Sequence, residues 1–255
     1  MAHFYELTSK HSAIFRKDIN TPHQAKKECL ASGRKLVASV TEKLKMLPNS
    51  FINDWRVSEA IHLARKHPHV NPSVITEMIW GMREHPLTGE EMGSAAWGTE
   101  CHTQLELAMN NQWEPNQWEP FVKPFIDWTG ERDFQLLDTE IIVASDTPEF
   151  NVAGTIDLLA KLNGKVCLFD YKTRRVTEGS DIRKKAYEKD CMQLASESHM
   201  VREMMDLDYN PKIFTVIIST QDGDTHVKKW TDKAFEKALS KAMHCFKFYD
   251  EINGL

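Results

Sequence analysis

The stretch AGTIDLLAKLNGKVCLFDYKTRR, Ala153 to Arg175, constrains this chain more than any other. Two apolar runs flank Asn163-Gly164, and Asn-Gly between such runs selects a two-residue turn in which both residues have positive φ. Turn length sets the register of a hairpin, so Asp157 is expected opposite Asp170 and Thr155 opposite Lys172. Side chains alternate faces along a strand. One face is therefore expected to hold Thr155, Asp157, Asp170 and Lys172. The other would hold Ile156, Leu158, Ala160, Cys167, Phe169 and Tyr171, which read as core.

Directly opposed strand residues have Cβ atoms about 4.5–5.5 Å apart, and like charges at that distance are destabilising. A pair of facing carboxylates calls for positive charge between them. Lys172 supplies one unit. A hard divalent cation would supply two more and prefers oxygen ligands. The alternative is an Asp–Lys ion pair on an exposed sheet face with Asp157 merely solvated; the apolar flanks argue against an outer face. Mg²⁺ or Mn²⁺ held by two carboxylates can polarise a phosphoryl oxygen and acidify a bound water. An adjacent lysine can orient that water or stabilise charge growing on the phosphate. Those parts suffice for phosphodiester hydrolysis, with Asp157, Asp170 and Lys172 as the catalytic set.

The surrounding composition fits an ordinary globular protein. The 255 residues are 41% hydrophobic and 27% charged, and no run reaches the roughly 18 apolar residues of a membrane span. The N-terminal MAHFYELTSKHSAIFRK lacks the apolar core of a signal peptide, so a cytoplasmic location is expected. Five cysteines are scattered without CxxC spacing, which points to buried free thiols and away from zinc ribbons, iron–sulfur clusters and disulfide frameworks. The net charge of −5 speaks against a surface coated by nucleic acid. It leaves room for a local basic channel, and Arg174, Arg175, Arg183, Lys184, Lys185 and Lys189 cluster just after the hairpin. A solvated helix face is the alternative for that cluster.

Periodicity orders the rest. Residues 58–66 read as a helix ending before His67-Pro68, Asn71-Pro72 opens another, Gly89–Gly98 reads as a loop, and Thr99–Asn111 as a helix. The tandem QWEPNQWEP, Gln112–Pro120, reads as a loop whose Trp113 and Trp118 either stack on bases or pack on the domain. Phe134–Ala144, Phe150–Leu162 and Val166–Lys172 read as strands, followed by a helix from about Asp181 to Met205 and a buried strand at Lys212–Thr220. THVKKW pairs with that strand, and Thr231 caps a closing amphipathic helix. The order predicts an α/β fold with a mixed central sheet flanked by helices. Residues 1–95 are expected as a helical N-terminal region packed on a core at 96–255.

Asp157 followed by Asp170-Tyr171-Lys172 resembles the D…(D/E)xK signature of the PD-(D/E)xK nuclease superfamily. GTID, Gly154–Asp157, resembles the GxxD motif of its RecB-like branch. WGTECHTQLE, Trp97–Glu106, resembles the upstream GxxxH helix of that branch, with Gly98 and His102 in place. CMQLASE supplies Gln193 of a QxxxY motif, with Glu197 where the family has Tyr. SVTEKLKMLPNSFINDW, Ser39–Trp55, is similar to the N-terminal segment of mitochondrial-genome-maintenance-type and related phage exonucleases. Together these segments lie within residues 39–205. The four-cysteine iron–sulfur frame of some RecB-like nucleases is missing.

The resemblance implies a restriction-endonuclease-like core and a Mg²⁺- or Mn²⁺-dependent DNase. The implied activity is that of an exonuclease acting in DNA recombination or processing, phage-encoded or bacterial. It implies metal ligation by His102, Glu140, Asp157 and Asp170, and DNA contacts by Arg174, Arg175, Lys189 and Gln193. Glu106, one turn beyond His102, would hold the imidazole in place. DNA, single- or double-stranded at an end, is the implied partner, together with a recombination or single-strand-binding protein. A restriction-type or structure-specific endonuclease, and a non-catalytic DNA-binding protein on the same fold, are the alternatives.

Overall fold

A computed structural model describes residues 3–47, 57, 60–71, 83–84, 88–89, 91–176 and 178–254. Its centre is a five-stranded mixed sheet in the order β10-β9-β8-β7-β6. The strands are β6 (Phe134–Thr147), β7 (Phe150–Leu162), β8 (Lys165–Arg174), β9 (Lys212–Ser219) and β10 (Thr225–Lys229). Only β8 and β9 run parallel; β6–β7, β7–β8 and β9–β10 are antiparallel. The parallel pair is made possible by a helical crossover, α5 (Glu188–Met204), between β8 and β9. β8 is central, and residues 166–171 are buried without interruption, as a strand covered on both faces requires.

Helices cover the two faces. On one, α3 (Ser94–Met109) and α4 (Glu119–Gly130) pack Trp97, Leu105, Phe121 and Phe125 against Leu158, Phe169, Phe214 and Val216. On the other, α5 and α6 (Asp232–Asn253) pack Leu194, Val201, Phe235 and Phe246 against Val152, Ile156, Leu168 and Ile213. Thr231 accepts a hydrogen bond from the Ala234 N–H, the expected cap of α6. The 3₁₀ turn Ile182–Lys185 precedes α5, so the helix read from about Asp181 is split in two.

Two expectations need correction. The N-terminal region is only partly helical. It has α1 (Pro22–Ser32), α2 (Val40–Lys43) and helical residues 60–66, but also a three-stranded antiparallel sheet. That sheet consists of β1 (Phe4–Leu7), β2 (Ala13–Arg16) and β3 (Leu36–Ala38) in the order β2-β1-β3. Strands of three or four residues are too short to display a period. A short hairpin, β4 (Arg83–Glu84) with β5 (Glu91–Met92), also lies here. Second, α3 begins at Ser94, inside the expected loop. Gly98 does not break it, and its bare Cα lets the helix approach β8: a Cβ there would lie 3.1 Å from Thr173 Oγ1. The helix expected after Asn71-Pro72, and residues 48–55 of Ser39–Trp55, lie outside the described residues.

The tandem tryptophans pack inward. Trp118 is buried against Trp97 and Phe121, and the Trp113 indole N–H donates to Gln104 Oε1 at 2.9 Å. Lys43, fully buried, ties α2 to α6 by donating to Asp250 Oδ1 at 2.6 Å and to the Asn151 carbonyl at 2.5 Å. No helix among the described residues is long and apolar enough to cross a membrane.

Candidate active site

The hairpin forms with the expected turn: Asn163 and Gly164 have φ of 51° and 74°. The ladder runs from Leu162–Lys165 to Leu158–Phe169 and stops there, one pair short of Asp157 and Asp170. Beyond it the strands open. The Asp157 carboxylate enters the opening, and its Oδ2 accepts the Tyr171 backbone N–H at 2.7 Å. Alternation breaks at the same place. Ile156 packs on the α5–α6 side and Leu158 on the α3–α4 side, although residues two apart on a regular strand share a face. The expected single face holding Thr155, Asp157, Asp170 and Lys172 is thus interrupted at Asp157.

The neighbouring strand is distorted at the matching position. Glu140, between the pairs Thr139–Leu158 and Ile141–Ile156, has φ of 52°. A non-glycine residue in the left-handed region inside a strand stores about 1–3 kcal/mol of strain, and such positions cluster at functional sites. A bulge between Leu136 and Asp138 leads into it.

The third contribution comes from α3. With Gly98 seated on β8, His102 one turn later faces the opening. Its Nδ1 lies 3.6 Å from Asp157 Oδ2, and its ring meets Tyr171 edge-on at 5.5 Å. His102, Glu140 and Asp157 each present a ligand atom, all within 4.8 Å of one another. Ligands about 2.1 Å from an octahedral cation lie roughly 3–4.2 Å apart, so the three could converge on one ion after small adjustments. Burial holds the His102 pKa below its ordinary value, against the pull of Asp157; the neutral imidazole is the form that binds metal. Desolvation by the surrounding strands, with Asp157 and Glu106 beside it, pushes the Glu140 carboxyl up to about 7, although the side chain is exposed at the mouth of the opening. Glu106 thus stands near the cluster, although no hydrogen bond joins it to His102 among the described residues.

Asp170 lies outside that three-residue group and belongs to a second, deeper one. Lys172 Nζ donates to Asp170 Oδ1 at 2.6 Å and to Gln193 Oε1 at 3.3 Å. The Gln193 amide in turn donates to Asp170 Oδ1 at 3.0 Å and to Glu197 Oε1 at 3.2 Å. Burial would lower the Lys172 pKa, but Asp170, Asp157 and Asp190 outweigh it and hold the ammonium charged. Asp170 is 2% exposed, and burial pushes it up to about 7 despite Lys172. Glu197, fully buried, is driven well above its ordinary value by burial and by Asp170 and Asp157. It occupies the space a Cβ on Gly154 would need, 3.1 Å from Glu197 Oε1, which is the physical reason for glycine in GTID.

These observations fit a divalent cation. The donor set is one imidazole and two carboxylates, acids outnumber bases around Lys172, and Asp170 Oδ2 is buried with no hydrogen-bond partner. A buried carboxylate oxygen left so is costly unless something else compensates it.

The expected DNA-contacting residues separate. Arg174 Nη2 donates to Asp190 Oδ1 at 3.0 Å, and its guanidinium lies 5.2 Å from the Tyr187 ring centroid. It is engaged within the protein. Arg175 is exposed. Lys189 is half-buried, with its pKa lowered by burial and by Lys45. Gln193 faces Asp170 and Lys172. Two contributors went unnoticed in the sequence. Asp190, which also accepts the Tyr187 N–H at 2.9 Å, could have been suspected from its place in the first turn of α5. Tyr5 gave no signal, for its strand has only four residues.

No protein-family model matches the chain, and no curated protein does. Among solved structures, a candidate exonuclease from Eubacterium rectale is similar over 65% of this chain and 70% of its own, with a TM-score of 0.44 and 11% identity. The protein SSO0001 is similar over 72% of this chain and 69% of its own, with a TM-score of 0.35 and 12% identity. Both are distant likenesses of fold and carry no weight for activity.

Proposed function

We propose that this protein is a divalent-cation-dependent deoxyribonuclease, an exonuclease that trims DNA ends during recombination or processing. One observation carries the reading: the His102–Glu140–Asp157 cluster stands at the opening of a hairpin whose other arm presents Lys172 against Asp170. A Mg²⁺ or Mn²⁺ bound there would polarise a phosphoryl oxygen and acidify a water. His102, Glu140 and Asp157 would hold it, with the unpartnered Oδ2 of Asp170 as a further oxygen. Lys172 has three N–H donors; two are used by Asp170 and Gln193, and the third is available to orient the attacking water or a non-bridging oxygen. Gln193 keeps the ammonium in place. Arg175 and Lys189 supply charge for the neighbouring phosphates, which fix register without reading sequence. The choice of exonuclease rests on the likeness of Trp97–Glu106 and Gly154–Asp157 to RecB-like nucleases. That reading implies the cytoplasm of a bacterial or phage-infected cell, and a recombination or single-strand-binding protein as partner.

The test is digestion of end-labelled linear and closed circular DNA, single- and double-stranded, with Mg²⁺, Mn²⁺ or chelator. Metal-dependent loss of linear DNA with circles spared is the expected result. Lys172→Ala should abolish cleavage while DNA binding persists, because its contribution is to the transition state. Cutting of circles would assign an endonuclease. Binding without cleavage under every metal would assign a non-catalytic DNA-binding protein.

A further inference from the structure

The β7 strand needs support on the side where β8 leaves it. Its ladder with β8 ends at Leu158, so the residues leading to Asp157 have no β8 partner. The N-terminal segment covers that edge instead. Ser39, directly after β3, forms a parallel bridge with Ala153. Tyr5 of β1 brings its hydroxyl to 3.0 Å from Thr155 Oγ1, two residues before Asp157. The Tyr5 ring is 5% exposed and packs with Val37, Ala144 and Ala153, joining the small sheet to both β6 and β7. Thr155 pairs with Ile142 on its other side, so this contact spans from β1 to the strand that carries Glu140. Burial raises the Tyr5 pKa, and the charges of Glu197 and Glu140 raise it further, consistent with a hydroxyl set between the two acidic groups.

We propose that Tyr5 is a positioning residue of the metal site: through Thr155 it fixes the end of β7 that presents Asp157, so the N-terminal sheet completes the site rather than decorating it. The inference rests on the reading of His102, Glu140 and Asp157 as metal ligands. Tyr5 touches neither metal nor DNA. Its hydroxyl limits how far the opened end of β7 can move, and a ligand oxygen displaced by a fraction of an ångström no longer meets the cation on its preferred geometry. Groups that orient metal ligands from behind typically change metal affinity or activity by about 10- to 100-fold when removed.

The experiment uses the whole chain and the variants Tyr5→Phe, Thr155→Val and their double, titrated with Mn²⁺ and followed by calorimetry and by melting temperature. Phenylalanine keeps the ring and its packing and removes only the hydroxyl. Each single variant should melt near the wild type without metal, bind Mn²⁺ about tenfold more weakly, and show a smaller Mn²⁺-induced rise. The double should bind no more weakly than either single, as residues acting through one contact do. For DNA cleavage, kcat should fall while KM holds. Tyr5→Phe binding Mn²⁺ as tightly as the wild type overturns the inference and leaves the metal site standing. So does a variant whose melting falls equally with and without Mn²⁺ while affinity is unchanged. A wild type that takes no Mn²⁺ overturns the reading of the site itself, and this inference with it.

Discussion

Acidic side chains crowd the opening between β7 and β8, and on the proposed reading their protonation links folding to metal binding. Glu140 moves from 4.5 to about 7 on folding and Asp170 from 3.8 to about 7, Asp170 by full burial and the exposed Glu140 by desolvation and its acidic neighbours. Between those limits the metal-free folded chain holds protons that the unfolded chain has released. Stability therefore falls as pH rises through that interval, and the loss is complete above about 7. A cation competes for the same oxygens, so its affinity must rise as the protons leave. We expect metal-free melting temperatures to decline between pH 5 and pH 7.5, and Mn²⁺ to bind more tightly over the same range. Glu140→Gln should flatten both trends. Melting curves with chelator and with Mn²⁺ across pH measure this; a metal-free protein that gains stability over the interval would contradict it. Burial lowers the His102 pKa, so the unfolded chain takes up a proton that the folded one does not, and this single group adds a smaller slope of opposite sign to those of the two carboxylates.

At the scale of the element, the site depends on a place where β-structure fails. β7 loses β8 at Leu158, switches face at Asp157, and lies beside a left-handed Glu140 on β6. With φ at 140 held positive, glycine there relieves strain and alanine does not. Glu140→Gly should be more stable without metal than Glu140→Ala by about 1 kcal/mol, measured by urea denaturation, and both should lose the response to Mn²⁺. Equal stabilities would show that the backbone relaxes once the carboxylate is gone. The hairpin was legible in the sequence because Asn163-Gly164 and its apolar flanks leave one register. The break at Asp157 was not, because alternation assumes a regular pleat and nothing in DTEIIVAS signals a left-handed residue. Glu140, His102 and Gln193 were legible through motif resemblance, whereas Tyr5 and Asp190 act through contacts of long range or local capping that no period records. The reading of Arg174 and Arg175 as a pair missed that Asp190, sixteen residues on, would draw one of them inward.

For the molecule as a whole, that separation predicts unlike behaviour from adjacent arginines. Net charge is −5, so on the proposed reading DNA would be met by local charge, and each phosphate contact would contribute to the salt dependence of binding. Arg175→Ala should weaken DNA binding and reduce the salt slope by about 1, with melting unchanged. Arg174→Ala should lower the melting temperature, because it leaves the buried Asp190 without its ion pair. Filter binding between low and moderate salt, beside melting curves, distinguishes them. An unchanged slope for Arg175→Ala would return that residue to a solvated surface.

The tie between α2 and α6 bears on the order in which the parts can come together during synthesis. Lys43 is buried against Asp250, and Tyr249 of α6 packs with Phe4, Leu36 and Ala38 of the small sheet. β1 pairs with β2 and β3, but its packing is complete only once the helix at residues 232–253, made after it, has folded against it. By then β7, β8 and α5 have long been exposed. A nascent chain would carry Asp157 and Asp170 before that packing is complete, so on the proposed reading the site would mature only after α6 has formed.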